Sequence, residues 1–85
     1  MCKQVVILGA GGHGKVIADI VRASGDRVLG FRDDDPCKGE MFAGFPILGR
    51  IASVDDLPDV WYILAIGNNR TREKLAGMLS VRWYT

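Results

Sequence analysis

The sequence predicts an α/β fold, with a small, doubly wound and mostly parallel sheet in the order β-α-β-β-β-α-β. Two short apolar runs, Val5–Leu8 and Val60–Ile66, are each closed by a glycine, which is typical of strands covered on both faces. A helical pattern follows each run, and strands that alternate with helices favour βαβ units with right-handed crossovers. The 85 residues allow one domain over residues 1–85, since domains usually hold about 100–200 residues.

The first third of the chain is predicted as one βαβ unit. The strand Val5–Leu8 enters a glycine-rich turn, Gly9–Gly14, and a helix follows. Ser24–Gly25 ends that helix, because glycine suits the left-handed position after a helix C-terminus. Arg27–Phe31 is then the second strand. The apolar residues of the helix fall on one stripe, formed by Val16, Ile17, Ile20 and Val21.

The remaining elements are shorter. Phe45–Gly49 is predicted as an edge strand, because a proline inside a strand is tolerated mainly at an edge. Ser53–Asp56 resembles a helix start, and Pro58 limits it to about one turn. After the interior strand Val60–Ile66, Asn68 or Asn69 caps a second helix with Leu75, Met78 and Leu79 as its apolar positions. Val81–Tyr84 is predicted as the last strand.

Composition and charge exclude several classes of function. Eleven Lys and Arg against ten Asp and Glu leave a net charge of +1 without any basic block, so neither nucleic acid nor a membrane is an expected partner. No apolar run approaches the roughly 20 residues that span a bilayer. Cys2, Cys37 and the single histidine, His13, show no metal-ligand spacing, so no metal site is expected. Two unpaired thiols and the lack of a signal-peptide pattern indicate a cytoplasmic protein.

The glycine-rich turn carries the clearest chemical signal. Gly9-x-Gly11-x-x-Gly14 matches the dinucleotide-binding fingerprint and stands between a strand and a helix, as that fingerprint requires. Glycines let the backbone approach a phosphate, and the helix N-terminus attracts the phosphate through N–H groups and a partial positive charge. The alternative is a glycine turn that only packs the helix on the sheet. We therefore predict a phosphate-binding site in a Rossmann-like fold.

Polar residues near this turn are predicted to complete the site. Asp33 and Asp34 follow the second strand about 20 residues after the glycines, where an acid accepts a ribose hydroxyl. Three consecutive aspartates cannot all face one Mg²⁺ ion, so a metal role is not expected. Lys15 can pair with a phosphate, and His13 can donate a hydrogen bond or stack near a sugar, although both residue types are also ordinary surface residues.

A second strand-to-helix turn is predicted at the same edge of the sheet. Ligands of open α/β sheets bind in the crevice at the carboxyl ends of the strands, so this turn lines the other wall. No catalytic residue is predicted, because one histidine does not provide a nucleophile–base constellation. The residues of this turn are Ile66, Gly67 and Asn68.

Five segments in order resemble the N-terminal domain of the NeuD/PglD-type sugar acetyltransferases, which act on sialic acids or nucleotide-linked amino sugars. They are ILGAGGHGKVIADI, GFRDDDP, GFPILG, DDLPD and AIGNNRTREKL. The resemblance covers essentially the whole chain. It implies a Rossmann-like domain that holds a UDP-sugar, and a separate left-handed β-helix domain of hexapeptide repeats that binds acetyl-CoA, carries the catalytic histidine and forms a homotrimer. No segment of the 85 residues resembles a hexapeptide repeat, so that domain is absent from this chain.

The resemblance also implies roles for individual residues. Gly11, Gly12, His13 and Gly14 would lie near the phosphates. Asp33 and Asp34 would lie near the uridine, and Ile66, Gly67 and Asn68 would form the facing wall. The sequence departs from the family in two places, because Asn68 stands where aspartate is usual and Arg32 replaces an apolar residue.

Two other functions stay open. The fingerprint and its acid are also the signature of an NAD-binding domain of an oxidoreductase. A non-catalytic module that senses nucleotide sugars would have the same residues. For an acetyltransferase, the sequence leaves open which sugar is modified and whether an amine or a hydroxyl receives the acetyl group.

Overall fold

Five strands and two helices form the described part of the chain, residues 2–35, 39–51, 59–67, 69–78 and 81–84 of this computed structural model. The strands are β1 (Gln4–Leu8), β2 (Arg27–Arg32), β3 (Met41–Phe42), β4 (Phe45–Gly49) and β5 (Val60–Leu64). The helices are α1 (Gly12–Ala23) and α2 (Asn69–Met78). All strands belong to one sheet in the order β3-β4-β2-β1-β5. Only β3 is antiparallel to its neighbour.

Strand β1 lies inside the sheet, with β2 on one side and β5 on the other. Leu8 at its carboxyl end is in register with Arg32 and with Leu64. The carboxyl ends of the three strands therefore reach the same edge of the sheet. The chain passes to opposite sides of β1 to form β2 and β5, so the point where the strand order reverses lies beside β1.

The two faces of β1 pack into separate apolar clusters. Val5 and Ile7 belong to a cluster that contains residues of α1. Val6 and Leu8 point the other way into a cluster that contacts Leu75 of α2. Because helices cover both faces of a mostly parallel sheet, the doubly wound α/β class is confirmed.

Helix α1 contacts the sheet along a stripe that only partly matches the one its hydrophobicity predicts, since Ile17 and Val21 pack into the core. Gly14, Ala18 and Val21 are its buried positions. Val16 and Ile20 are 55% and 53% exposed. The small residues at 14 and 18 let the helix lie close to the sheet, and this rotates the larger side chains toward solvent. The expectation that Val16 and Ile20 are core residues is wrong.

Helix α1 ends as predicted. Gly25 has a φ of +85°, in the left-handed region. Its N–H donates to the Arg22 carbonyl at 3.0 Å, and the Asp26 N–H donates to the Val21 carbonyl at 3.2 Å. This pair of bonds is a Schellman motif.

The prediction that Phe45–Gly49 is an edge strand is wrong. Strand β3 pairs with β4 on the side away from β2, with Met41 opposite Pro46. The turn between them uses Ala43 and Gly44, both with positive φ of 52° and 86°, which is the pattern of a two-residue hairpin turn. Alanine rarely adopts this conformation, so the sequence carries no clear signal for the hairpin.

Of the last predicted strand, Val81–Tyr84, the structure contains a single β-bridge. Trp83 pairs in parallel with Tyr62, whose N–H donates to the Arg82 carbonyl at 2.8 Å. The Tyr84 N–H donates back to the Tyr62 carbonyl at 2.7 Å. This segment covers the outer side of β5. The helical turn predicted at residues 53–56 and the helix position Leu79 lie outside the described residues.

A small polar cluster holds this segment to the amino edge of the sheet. The Tyr84 hydroxyl donates to Asp26 Oδ2 at 2.5 Å, and the Lys3 N–H donates to Oδ1 at 2.8 Å. The Tyr84 hydrogen bond and then the Lys3 N–H hold the pKa of Asp26 below its ordinary 3.8. The same hydrogen bond raises the pKa of Tyr84 above its ordinary 10.0.

These shifts predict how Tyr84→Phe changes stability with pH. A carboxyl whose pKa is lowered by folding stabilises the fold at any pH above its pKa in the unfolded chain. This stabilisation is lost as the pH falls through the pKa of the carboxyl in the folded chain. A phenol whose pKa is raised by folding stabilises the fold at any pH below its pKa in the unfolded chain. This stabilisation is lost as the pH rises through the pKa of the phenol in the folded chain. Thermal unfolding should therefore show the largest loss of melting temperature between about pH 4 and pH 10, with a smaller loss beyond both limits.

The control is Asp19→Asn, which removes an exposed carboxyl from α1. This variant should keep the wild-type dependence of melting temperature on pH. A difference between wild type and Tyr84→Phe that stays constant from acid to alkaline pH would contradict the role given to the Asp26–Tyr84 bond.

Candidate functional site

Three loops that carry predicted site residues meet at the carboxyl edge of the sheet. The Gly9 N–H donates to the Arg32 carbonyl at 2.7 Å, which joins the loop after β1 to the end of β2. The Ala65 N–H donates to the Leu8 carbonyl at 2.9 Å, which joins the end of β5 to β1. The structure therefore brings together the glycine-rich loop, Asp33 and Asp34, and the turn that begins at Ala65.

Two of the motif glycines are required by the fold itself. Gly9 has a φ of +120°, and a Cβ there would lie 2.8 Å from the Ala65 carbonyl oxygen. A Cβ on Gly14 would collide with the Gly9 carbonyl oxygen and would lie 3.2 Å from Cε1 of Phe31. These glycines allow the tight turn and the close approach of α1 to the sheet.

Gly11 and Gly12 have no such reason to be glycine. A Cβ at either position would meet no atom of the described residues within 4 Å. Neither has a positive φ, and Gly11 is extended, with φ −137° and ψ −169°. The space above this part of the loop is open, so a second molecule can approach the backbone there. Gly67, on the facing turn, is equally open.

The start of α1 offers a set of backbone donors beside this open space. The first bond within the helix is from the Lys15 N–H to the Gly11 carbonyl at 3.1 Å. The amides of residues 11–14 thus lack intrahelical acceptors, and no side chain caps the helix. No acidic residue lies in its first turn. This arrangement favours an anion, because the unpaired N–H groups and the helix dipole both attract negative charge.

His13 and Lys15 lie at the rim of this helix start, and both side chains are exposed. Lys15 stands one residue after the last free amide, where its ammonium group adds positive charge to that of the helix end. His13 provides ring nitrogens next to the same amides. Both residues therefore lie at the start of α1, and their contact with an anion stays a prediction.

The two predicted acids are engaged with the backbone. Asp33 Oδ2 accepts from the Ala10 N–H and its Oδ1 accepts from the Asp35 N–H, both at 2.8 Å. Asp34 Oδ1 accepts from the Ile51 N–H at 2.8 Å. The sequence places both acids at the correct edge, but it does not reveal that their carboxylates hold neighbouring loops in position.

On the facing wall, Ile66 lies next to the first glycine of the motif. A Cβ on Gly9 would be 3.2 Å from Cγ1 of Ile66. Ile66 and Gly67 therefore stand across the glycine loop from Asp33, as the strand order requires. The remaining predicted wall residue, Asn68, lies outside the described residues.

Comparison with known proteins identifies the family. Residues 4–79 match the PglD N-terminal domain. The chain belongs to the PglD N-terminal domain family. It is 38% identical over 88 residues to the UDP-N-acetylbacillosamine N-acetyltransferase of Bacillus subtilis, an alignment that covers 93% of the chain and 38% of that relative.

Solved structures agree with this assignment. The acetyltransferase domain of PglB from Neisseria gonorrhoeae in complex with acetyl coenzyme A is similar to this chain with a TM-score of 0.76 and 30% identity, over 92% of this chain and 38% of that one. A second structure of the same PglB domain gives a TM-score of 0.74 and 31% identity, over 89% and 38%. This PglD N-terminal domain thus spans 38% of the length of these relatives.

Arg32 is a further charged residue at the carboxyl edge of the sheet, and the sequence assigns it no role in the site. Arg32 Nη1 donates to the Arg50 carbonyl at 3.0 Å and lies beside Gly49, whose φ is +150°. Arg32 therefore links the end of β2 to the end of β4.

Other features of the described residues bear on function less directly. Among them, no group of three or more His, Cys, Asp or Glu side chains is arranged to hold a metal ion. No described helix is both long enough and apolar enough to cross a membrane. A cleft of about 490 Å³ lies at the opposite, amino edge of the sheet beside Arg22 and Phe45, and no predicted site residue lines it.

Proposed function

We propose that this PglD N-terminal domain binds the UDP-sugar substrate of an acetyl-CoA-dependent sugar acetyltransferase. The open glycine backbone at Gly11 and Gly12, above the unpaired amides of α1, carries this proposal. The Bacillus subtilis relative is named for a UDP-linked amino sugar, and the gonococcal PglB domain was solved with acetyl coenzyme A. Both relatives match this chain over the part that forms the glycine loop.

The diphosphate occupies the open space at the start of α1 in this proposal. The amides of residues 11–14 supply donors, and the two glycines without packing partners let phosphate oxygens reach them. Lys15 adds a point charge from the rim. A site built from backbone donors needs no basic patch, which agrees with a net charge of only +1.

The nucleoside lies between the ends of β2 and β5. Asp33 and Asp34 stand on one side, and Ile66 and Gly67 stand on the other. Ile66 offers an apolar surface for a base, and the open position at Gly67 leaves room beside it. His13 lies on the phosphate side, where it binds substrate and does not act as a catalytic base.

Acetyl transfer requires groups that residues 1–85 do not supply in this proposal. A sugar amine or hydroxyl attacks the thioester carbonyl of acetyl-CoA while a base removes its proton, and the C–S bond then breaks to release coenzyme A as the thiol. We assign that base, the acetyl-CoA site and the homotrimer contacts to a separate β-helix domain. The contribution of the present domain is to bind and orient the sugar nucleotide, which raises the effective concentration of the reacting group.

Calorimetry with UDP and with NAD tests the proposal on the 85-residue chain. We expect UDP to bind and NAD not to bind. Lys15→Gln should weaken UDP binding roughly two- to fivefold, as expected for an exposed charge pair. Arg22→Gln removes the same charge from the other end of α1 and should leave UDP affinity unchanged. Binding of NAD without binding of UDP would favour the oxidoreductase alternative and overturn the proposal.

A further inference from the structure

Asp33 connects three segments of the chain at the carboxyl edge of the sheet. Its Oδ2 accepts from the Ala10 N–H in the glycine loop, and its Oδ1 accepts from the Asp35 N–H, each at 2.8 Å. Its own N–H donates to the Gly49 carbonyl at 3.0 Å. The carboxylate is therefore held in one orientation by bonds to both of its oxygens, and it faces the glycine loop.

This contact divides the amides of the glycine loop into two groups. The Gly9 N–H is bound by the Arg32 carbonyl at 2.7 Å, and the Ala10 N–H is bound by Asp33. Ala10 is fully buried. From Gly11 to Gly14 the amides precede the first helical bond and have no side-chain cap at the start of α1. Asp33 thus holds the last residue before the free amides.

Charge excludes a direct contact between Asp33 and a phosphate. Two negative groups at hydrogen-bond distance repel each other, and the repulsion increases where water is partly excluded. The carboxylate nevertheless lies one residue from the first amide that the phosphate uses. A carboxylate in this place acts by holding the backbone, since strong bonds from N–H groups to a charged acceptor fix both partners.

We infer that Asp33 is a positioning residue, which presets the glycine loop for the diphosphate and contributes little direct contact to the nucleoside. This inference rests on the proposed function, because it assumes that the ligand carries phosphate at the start of α1. It differs from the ribose-acceptor role that the fingerprint predicts for an acid at this place. Binding to a loop that is already ordered avoids the cost of ordering it.

The test compares uridine, UMP and UDP on the same chain by NMR titration, for wild type, Asp33→Asn and Asp33→Ala. In the Asn variant an NH₂ group replaces one acceptor oxygen, so one of the two backbone N–H groups loses its partner. The ratio of the uridine Kd to the UDP Kd measures the affinity gained from the diphosphate. We expect this ratio to fall at least fivefold. The uridine Kd itself should change less than twofold. Equal weakening of uridine and UDP, or an unchanged ratio, would overturn the inference.

Amide hydrogen exchange provides an independent readout in the same spectra. The Ala10 N–H should exchange at least tenfold faster in Asp33→Ala, whereas the Ile51 N–H, which Asp34 holds, should keep its wild-type rate. General destabilisation would accelerate both amides and would contradict the positioning role. Failure of the wild type to bind UDP would overturn the proposed function, and the Ala10 amide would still show whether Asp33 holds the loop. Asp19→Asn, which replaces an exposed carboxylate on α1, serves as the control for the loss of one negative charge.

Discussion

Gly12→Ala is expected to weaken UDP binding at least tenfold while leaving the free domain as stable as the wild type or more stable. Among the residues that the structure describes, a Cβ at this position meets no atom within 4 Å, and Gly12 does not have a positive φ, so the fold accepts alanine. Replacing a glycine in such a conformation stabilises a protein by about 0.4–1 kcal/mol, because the unfolded chain loses freedom. The new methyl group would occupy the space through which phosphate reaches the backbone.

Calorimetry with UDP and thermal unfolding measure the two effects separately. Gly77→Ala is the matched control, because Gly77 lies in α2 and is also open, with no atom of the described chain within 4 Å of a Cβ. It should raise the melting temperature without changing UDP affinity. Wild-type UDP affinity in Gly12→Ala would show that the phosphate does not lie against this part of the loop.

Gly14→Ala is expected to lower the free energy of unfolding by about 1–3 kcal/mol or more, the range for overpacking a filled site. The added Cβ would collide with the Gly9 carbonyl oxygen, which is backbone, and would lie 3.2 Å from Phe31 Cε1. No side-chain rotation relieves the first contact, so α1 must move away from the sheet. An 85-residue domain has roughly 4–13 kcal/mol of total stability, so the loss is a large fraction of it.

Urea unfolding of Gly14→Ala and Gly12→Ala provides the comparison, since the two substitutions lie two residues apart on the same helix. The midpoint should fall for Gly14→Ala and should not fall for Gly12→Ala. A wild-type midpoint for Gly14→Ala would mean that α1 does not pack as closely on the Gly9 turn as the structure shows. Together the two variants separate the glycine that the fold requires from the glycine that the ligand requires.

The elements with strong local patterns were predictable. The apolar runs match the observed strands β1 and β5 to within two residues at each end, and Gly25 ends α1 in the left-handed conformation. The stripe on α1 was wrong at Val16 and Ile20, because part of the contact with the sheet is made by Gly14 and Ala18, small residues that a hydrophobic pattern does not weight. The hairpin of β3 and β4 had no clear local signal, since its turn uses a non-glycine residue with positive φ.

Short-range patterns predicted three features of the candidate site. These are the glycine motif, its place between a strand and a helix, and the acids that follow the second strand. These patterns determined that the chain is a small doubly wound α/β domain whose 85 residues resemble the PglD-type N-terminal domain. The motif also named Gly9, Gly11 and Gly14 together, without distinguishing the roles of the three glycines.

Only the tertiary structure decided what each of these residues does. Gly9 must be glycine because a Cβ there would meet Ala65, and Gly14 must be glycine because a Cβ there would meet Gly9. Gly11, in contrast, faces open space. Asp33 binds Ala10, which is 23 residues away along the chain. That bond exists because Leu8 and Arg32 end β1 and β2 in register. Register depends on how the whole core packs, so no local pattern contains it.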